Sequence, residues 1–252
     1  MAHQKGIIKI EGTIVDITFY KSKDGYLVRE KGGVDAKRIA TDPAFQRTRE
    51  NGMEFGRAGK AGKMLRAAIR PLLTNTKTTS TVSRLTQMTM KVIQADMVSE
   101  RGQRNVIDGE SELLTGFEFN SGGTLSTTFH APYTSEIDRV SGAVSIEIPP
   151  FVPTNMLSAP PGTTHFKLIS GAAEINFEAE TFVNAVQSTS ILPYDGVETT
   201  LVSHIHNVTA NSTFPLFLAL GVEFYQDING STYVLKNGAH NPLAIIKVNC
   251  GV

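Results

Sequence analysis

From Gly116 to the C-terminus the chain is a succession of short apolar runs, each closed by turn-forming residues: "GFEF", "TLSTTFHA", "GAVSIEIPPF", "THFKLISG", "AEINFEAETFVNAV", "TTLVSHI", "FPLFLALGVEFYQ", "STYVLKNG" and "LAIIKVN". Bounded by turn residues, and many of them alternating apolar with polar residues, these runs read as β-strands. "YQDINGSTYVL" is the clearest element, a hairpin with Asn229-Gly230 at its tip, because both central residues of such a turn need positive φ. Pro149-Pro150, Pro153 and Pro160-Pro161 mark loops or edges, since proline cannot donate to a ladder. Many short strands with regular turn signals predict an immunoglobulin-like β-sandwich over 113–252, a closed barrel being the alternative. The composition agrees, with no Trp, 22 Gly and 13 Phe among 252 residues.

The first 112 residues have a different texture. Ile8, Ile10, Ile14, Ile17 and Phe19 alternate with polar residues, and the chain turns at Lys23-Asp24-Gly25 before Tyr26 and Val28, which predicts a hairpin. An isolated hairpin is marginal in water, so this arm must pack on something, its own helices or a neighbouring subunit. Asp42-Pro43 opens a helix, with Asp as N-cap and Pro in the first turn, where no N–H is missed. Phe55, Ala58, Gly62, Leu65, Ile69 and Leu72 then form an apolar stripe, with a bend expected at Asn51-Gly52. After the polar loop "TNTKTTST", Ser80 or Thr81 caps a second helix of about 20 residues. Its stripe is Val82, Leu85, Met88 and Val92, and it stops near Gly102. A short connection predicts an antiparallel pair. The fold class expected is mainly β, with a hairpin and two helices (1–112) preceding the sandwich (113–252).

A formal net charge of zero hides a polarised chain. Residues 1–112 hold 20 Lys and Arg against 13 Asp and Glu, whereas 113–252 hold 4 against 11. The basic character peaks in "GMEFGRAGKAGKMLRAAIR", residues 52–70. It is not a P-loop: Arg57 stands where that motif needs glycine, and Met64 follows Gly62-Lys63 where Ser or Thr would hold Mg²⁺. Arg57, Lys60, Lys63, Arg66 and Arg70 could neutralise the phosphates of a nucleic acid, although no aromatic residues interleave with them. Gly52, Gly56, Gly59 and Gly62 favour a third reading. Each glycine costs a helix about 1 kcal/mol relative to Ala, a penalty compensated where another backbone must approach closely. A bent surface helix with ordinary lysines is the plain alternative. Glu174, Glu178 and Glu180 share strand parity and are read as a solvated acidic face, the counterpart for the basic helix of a second copy.

Catalytic chemistry finds little footing. There is no G-x-S-x-G elbow, no H-E-x-x-H and no dinucleotide fingerprint. His204-x-His206 could place two imidazoles on one strand face, but no third ligand stands nearby, so no metal or other cofactor is expected. Cys250 is the single cysteine and excludes an intramolecular disulfide. No apolar run reaches the length of a membrane span, and "MAHQKGIIKIEGTI" lacks the pattern of a secretory leader.

Two blocks carry a resemblance. "GIIKIEGTIVDITFYKSKDGYLVREKGGV" followed by "DPAFQRTRENGMEFGRAGKAGK", and "GTTHFKLISGAAEINFE" with "FLALGVEFYQDINGSTYVLKNGAHNPLAIIKV", resemble an uncharacterised family found in Bacteroidetes-type genomes, over essentially the whole chain. The resemblance implies that an N-terminal hairpin and helices travel with a C-terminal β-domain, in phage-like or other structural assembly genes, with no assigned activity. The function expected is a non-enzymatic subunit that self-assembles into a filament, tube or shell, through arm exchange and contacts of basic helix with acidic sheet. Its runners-up are a nucleic-acid-binding protein using 52–70 and a carbohydrate- or surface-binding β-module. No small-molecule substrate is expected, and the protein is read as made in the cytoplasm and able to enter a virion or other particle.

Overall fold

The computed structural model describes residues 2–30, 33–77 and 80–251; Thr78 and Thr79 of the loop between the helices lie outside them. The chain is mainly β and divides into two compact units, Met1–Arg49 and Glu50–Val252. The division therefore falls inside the first long helix, well before residue 112, where the charge changes sign.

In the first unit, strands β1 (Ala2–His3), β2 (Gly12–Ile14), β3 (Ile17–Ser22) and β4 (Gly25–Glu30) form an antiparallel sheet of order β1-β4-β3-β2. The expected hairpin is β3–β4, in register from Ile17↔Glu30 to Ser22↔Gly25. Between Gln4 and Glu11 the chain bulges into a loop clipped by one side chain. Gln4 Nε2 donates to the carbonyls of Ile10 (3.1 Å) and Leu27 (3.2 Å), while its Oε1 accepts from the Ile10 amide (3.0 Å). This clip leaves Ile7 and Ile8 at the tip, 102% and 81% exposed. Helix α1 (Ala36–Thr41) follows, and Asp42 Oδ1 then accepts the Ala44 amide (2.9 Å) at the start of the 3-10 turn Pro43–Phe45. The Asp-Pro start is thus met, and α2 (Gln46–Ala68) runs on from that turn without a break at Asn51-Gly52.

The second unit is layered on one sheet. Long β7 (His165–Asn176) and β11 (Leu216–Ile228) pair antiparallel from Leu216↔Glu174 to Tyr225↔His165. Strands β8 (Thr181–Ser188) and β9 (Leu192–Pro193) add to β7, and β12 (Ser231–Val234) and β13 (Leu243–Asn249) add to β11. The β11–β12 turn is the Asn-Gly hairpin, with Asn229 at φ 55° and Gly230 at φ 80°. Strands β5 (Thr134–Asp138), β6 (Ala143–Ile148) and β10 (Val202–Asn207) make a second sheet of order β10-β6-β5. Two short helices, α4 (Leu125–Thr128) and α5 (Pro153–Met156), lie in the connections, and α3 (Thr81–Gln94) follows α2 and the 3-10 turn Arg70–Leu73.

Both faces of the larger sheet are covered. Phe166, Leu168 and Ala172 of β7 with Leu218, Leu220, Val222 and Phe224 of β11 share a core with Val144, Ile146 and Ile148 of β6 and Val202 of β10. The intervening Ile169, Ala173, Ile175, Phe217 and Ala219 share another with Leu65, Ile69, Leu72, Leu85, Val92 and Ile93 of the helical layer. Strands buried on both faces read as unbroken apolar runs. The layers are therefore helices, six strands and three strands, a β-rich body in which an immunoglobulin-like order is not established. At the far end, the Arg139 guanidinium donates to Asn249 Oδ1 (2.5 Å) and to the carbonyls of Asn249 (2.7 Å), Ser212 (2.7 Å) and Phe214 (3.0 Å), fastening the β5–β6 turn to the end of the chain.

The helices differ from expectation in detail. Helix α3 ends at Gln94, well short of Gly102, and Ser80 is an N-cap in left-handed conformation (φ 60°) without a side-chain cap bond. Gly62 does pack closely, a Cβ there lying 3.5 Å from Leu85 Cγ, but Gly52, Gly56 and Gly59 face open space within the chain. The two classes of glycine predict opposite outcomes. Gly52→Ala, Gly56→Ala and Gly59→Ala are each expected to raise stability by about 0.5–1 kcal/mol in urea melts, from helix propensity alone. Gly171→Val in β7 is expected to lower it by roughly 1–3 kcal/mol, because a side chain there must displace Leu72, whose Cδ1 would stand 2.9 Å from the new Cβ.

Candidate functional site

The basic residues singled out in the sequence do not act as one patch. Arg57 is committed to the loop after α3: Nη1 donates to the carbonyls of Gly102 (2.6 Å) and Arg104 (3.1 Å), and Nη2 to Gln103 Oε1 (2.7 Å). The same loop is held by two buried carboxylates of α2. Glu54 Oε1 accepts the Gly102 amide (2.8 Å) and lies 3.7 Å from Arg104 Nε, and Glu50 Oε2 lies 3.7 Å from Arg101 Nε. Lys60 pairs with Glu180 of its own chain at 3.4 Å, both side chains being exposed. Lys63 is exposed, and Arg66 and Arg70 line a separate pocket.

The acidic set is likewise dispersed, which corrects the expectation of one solvated strand face. Glu174 is buried in β7, where its Oε2 accepts the Thr209 amide (3.0 Å). Glu178 and Glu180 sit in the β7–β8 turn instead of on the strand, Glu180 at φ 53°. Parity arguments fail here because the strand ends at Asn176, two residues before Glu178.

Two residues expected in the core are left uncovered, and they share an apolar concavity. Phe55 of α2 is 63% exposed and Val82 of α3 is 54% exposed. With Gly59, Thr86, Gln87, Met90, Lys91 and Gln94 they line a groove of about 840 Å³ between α2 and α3. The sequence stripe placed Phe55 and Val82 with the buried residues. Gly59, which presents no side chain to the groove, leaves room beside them.

His204 and His206 are buried between the two sheets and meet at one hydroxyl. Ser170 Oγ lies 2.6 Å from His204 Nδ1 and 3.0 Å from His206 Nε2. A hydroxyl has one proton, so it donates to one ring and accepts from the other. His206 Nδ1 is buried with no partner among the described residues. Leaving an N–H unpaired there costs more than leaving a lone pair, which assigns His206 as the Nε2–H tautomer donating to Ser170, with Ser170 donating to His204 Nδ1. The two imidazoles do share one strand face, and it is the buried one. Val202, His204 and His206 point inward and Ile205 outward. Among the described residues no group of three or more His, Cys, Asp and Glu could hold a metal ion.

A second buried group, missed in the sequence, is Glu118. Its Oε1 accepts the Leu125 amide (2.8 Å) and caps α4, while its Oε2 is buried without a partner. Burial raises the Glu118 carboxyl to about 7, against bonds from Leu125 and Ser126 that act to lower it.

Comparison of the chain with models of known protein families, with curated proteins and with solved structures finds no match. No helix of the described residues is long and apolar enough to cross a membrane.

The two buried groups give stability a pH dependence of opposite sign. Burial holds His206 down to about 4, with the neighbouring His204 adding to the effect. Between about 4 and 6.5 the unfolded chain binds more protons at this site, so stability falls as pH drops through that window, by about 2–3 kcal/mol in all. Glu118 does the reverse: the folded chain binds more protons between 4.5 and about 7, so its contribution is lost as pH rises. In urea melts from pH 4 to 7.5, His206→Gln is expected to flatten the acid limb and Glu118→Gln the neutral limb. Unchanged limbs in both variants would contradict the assignment.

Proposed function

We propose that the protein is a non-enzymatic structural subunit that assembles with copies of itself into a filament, tube or shell, such as a component of a virion. The carrying observation is the pair of strongly exposed isoleucines at the clipped tip of the Gln4–Glu11 loop, in a chain that also leaves the Phe55–Val82–Met90 groove open. The occupant of the groove is the Ile7–Ile8 tip of a second copy. Burying an isoleucine side chain is worth about 1.5–3 kcal/mol, which two such residues supply twice over before ordering costs. Glu11, three residues beyond Ile8, brings a carboxylate for Lys91, whose ammonium has no ion pair among the described residues. A knob and a groove on different parts of one molecule make a heterologous contact, which closes into rings or propagates as a polymer.

This reading keeps arm exchange and moves the weight away from a basic helix on an acidic sheet, since Arg57, Lys60 and Glu174 have partners within the chain. The two β-layers then serve as an immunoglobulin-like body that presents the helical layer.

The test is sedimentation and negative-stain microscopy of the full chain across concentration. Wild-type protein is expected to form regular assemblies. Ile8→Asp and Phe55→Ser, both at exposed positions, are each expected to raise the concentration needed at least tenfold while leaving circular dichroism unchanged. A wild type that stays monomeric throughout, or assemblies indifferent to both substitutions, would overturn the proposal.

A further inference from the structure

Arg66 and Arg70 stand one helical turn apart, where α2 passes into the 3-10 turn Arg70–Leu73. With Leu73, Thr74, Thr81 and Val82 they line a pocket of about 380 Å³. No carboxylate is among these residues, and among the described residues no ion pair neutralises either guanidinium. Among the described residues the buried Arg66 Nε has no hydrogen-bond partner, an orphaned donor of the kind that native structures seldom tolerate.

The opposite wall is the first turn of α3. Its N-cap Ser80 gives no side-chain cap bond, so the first-turn amides are left to other acceptors, and the helix dipole adds positive potential at that end. The hydroxyls do not change this balance. Thr81 Oγ1 is spent on the Phe119 carbonyl (2.6 Å) and Thr74 Oγ1 on the Pro71 carbonyl (3.0 Å). Among the described residues, what lines the pocket includes two planar, permanently charged donors and no carboxylate to answer them. Guanidinium forks and helix N-terminal amides are together suited to an anion with several oxygens.

We propose that this pocket is a binding site for a phosphate group. Arg66 and Arg70 supply the charge and the forked bonds, and the α3 amides complete the cradle. The pocket exceeds one phosphate in size, which leaves room for the ester substituent. The site stands independently of self-assembly, and of the five basic positions in residues 57–70 it uses two.

Isothermal titration of the full chain with inorganic phosphate and with phenyl phosphate, at ionic strength held constant with chloride, tests it. Saturable binding is expected, stronger for the ester. Arg70→Gln, at an exposed position, is expected to weaken it at least tenfold, and Lys63→Gln, outside the pocket, to leave it unchanged. Arg66→Lys keeps the charge and removes the fork, and is expected to fall between them. Absence of saturable binding, or Arg70→Gln binding as wild type does, would refute the site. A short oligothymidylate as competitor separates the two sources of the group. Displacement of phenyl phosphate assigns the pocket to a nucleic-acid backbone, and coexistence assigns it to small phosphorylated compounds.

Discussion

The pairing of β7 with β11, buried from both sides, is the constraint on which the second unit is built. Odd-numbered residues of β7 meet the helices and even-numbered ones meet the smaller sheet, so neither covering layer can shift without exposing a strand face. Two glycines let the layers close. A Cβ on Gly171 would meet Leu72, and one on Gly221 would lie 2.8 Å from the Pro242 carbonyl oxygen. The seat of Leu72 on β7 in turn fixes where α2 ends, and hence where Arg66 and Arg70 emerge. The seat of Val202 opposite fixes β10 and brings its two histidines onto Ser170.

Much of this was legible in the residues. Asp42-Pro43, the Asn229-Gly230 turn and the alternation of β3, β6 and β10 each declare their element through local chemistry. The runs "FPLFLALGVEFYQ" and "THFKLISGAAEIN" carried a further message that a sandwich reading passes over: they do not alternate, and unbroken apolar strands require cover on both faces. The helices supply that cover, which is why they belong to the same body as the strands and not to a separate domain. What could not be read was tertiary. Nothing local tells that Glu50 and Glu54, in an otherwise basic helix, turn inward to hold the 101–104 loop. Nor does it tell that Gln4 folds back on Ile10.

The polarity of charge along the sequence likewise has a different meaning in three dimensions. Segregated charges in a chain suggest attraction between molecules, yet several are consumed at short range: Arg57 by backbone carbonyls, Lys60 by Glu180, Arg101 and Arg104 by the α2 carboxylates. The candidate interaction sites are what this internal accounting leaves over. They are an apolar groove where the stripes of α2 and α3 fail to meet, an apolar loop tip, and a pair of arginines without an acid.

The Arg139 clamp gives the chain's end a mechanical character. Strand β13 runs antiparallel along the first half of β11, and one guanidinium makes four donor contacts, two to Asn249 at the end of β13 and two to the carbonyls of Ser212 and Phe214 just before β11. That one side chain thus ties together the β5–β6 turn, the strand end at Asn249 and the entry to β11, three segments far apart in sequence that are obliged to move as one.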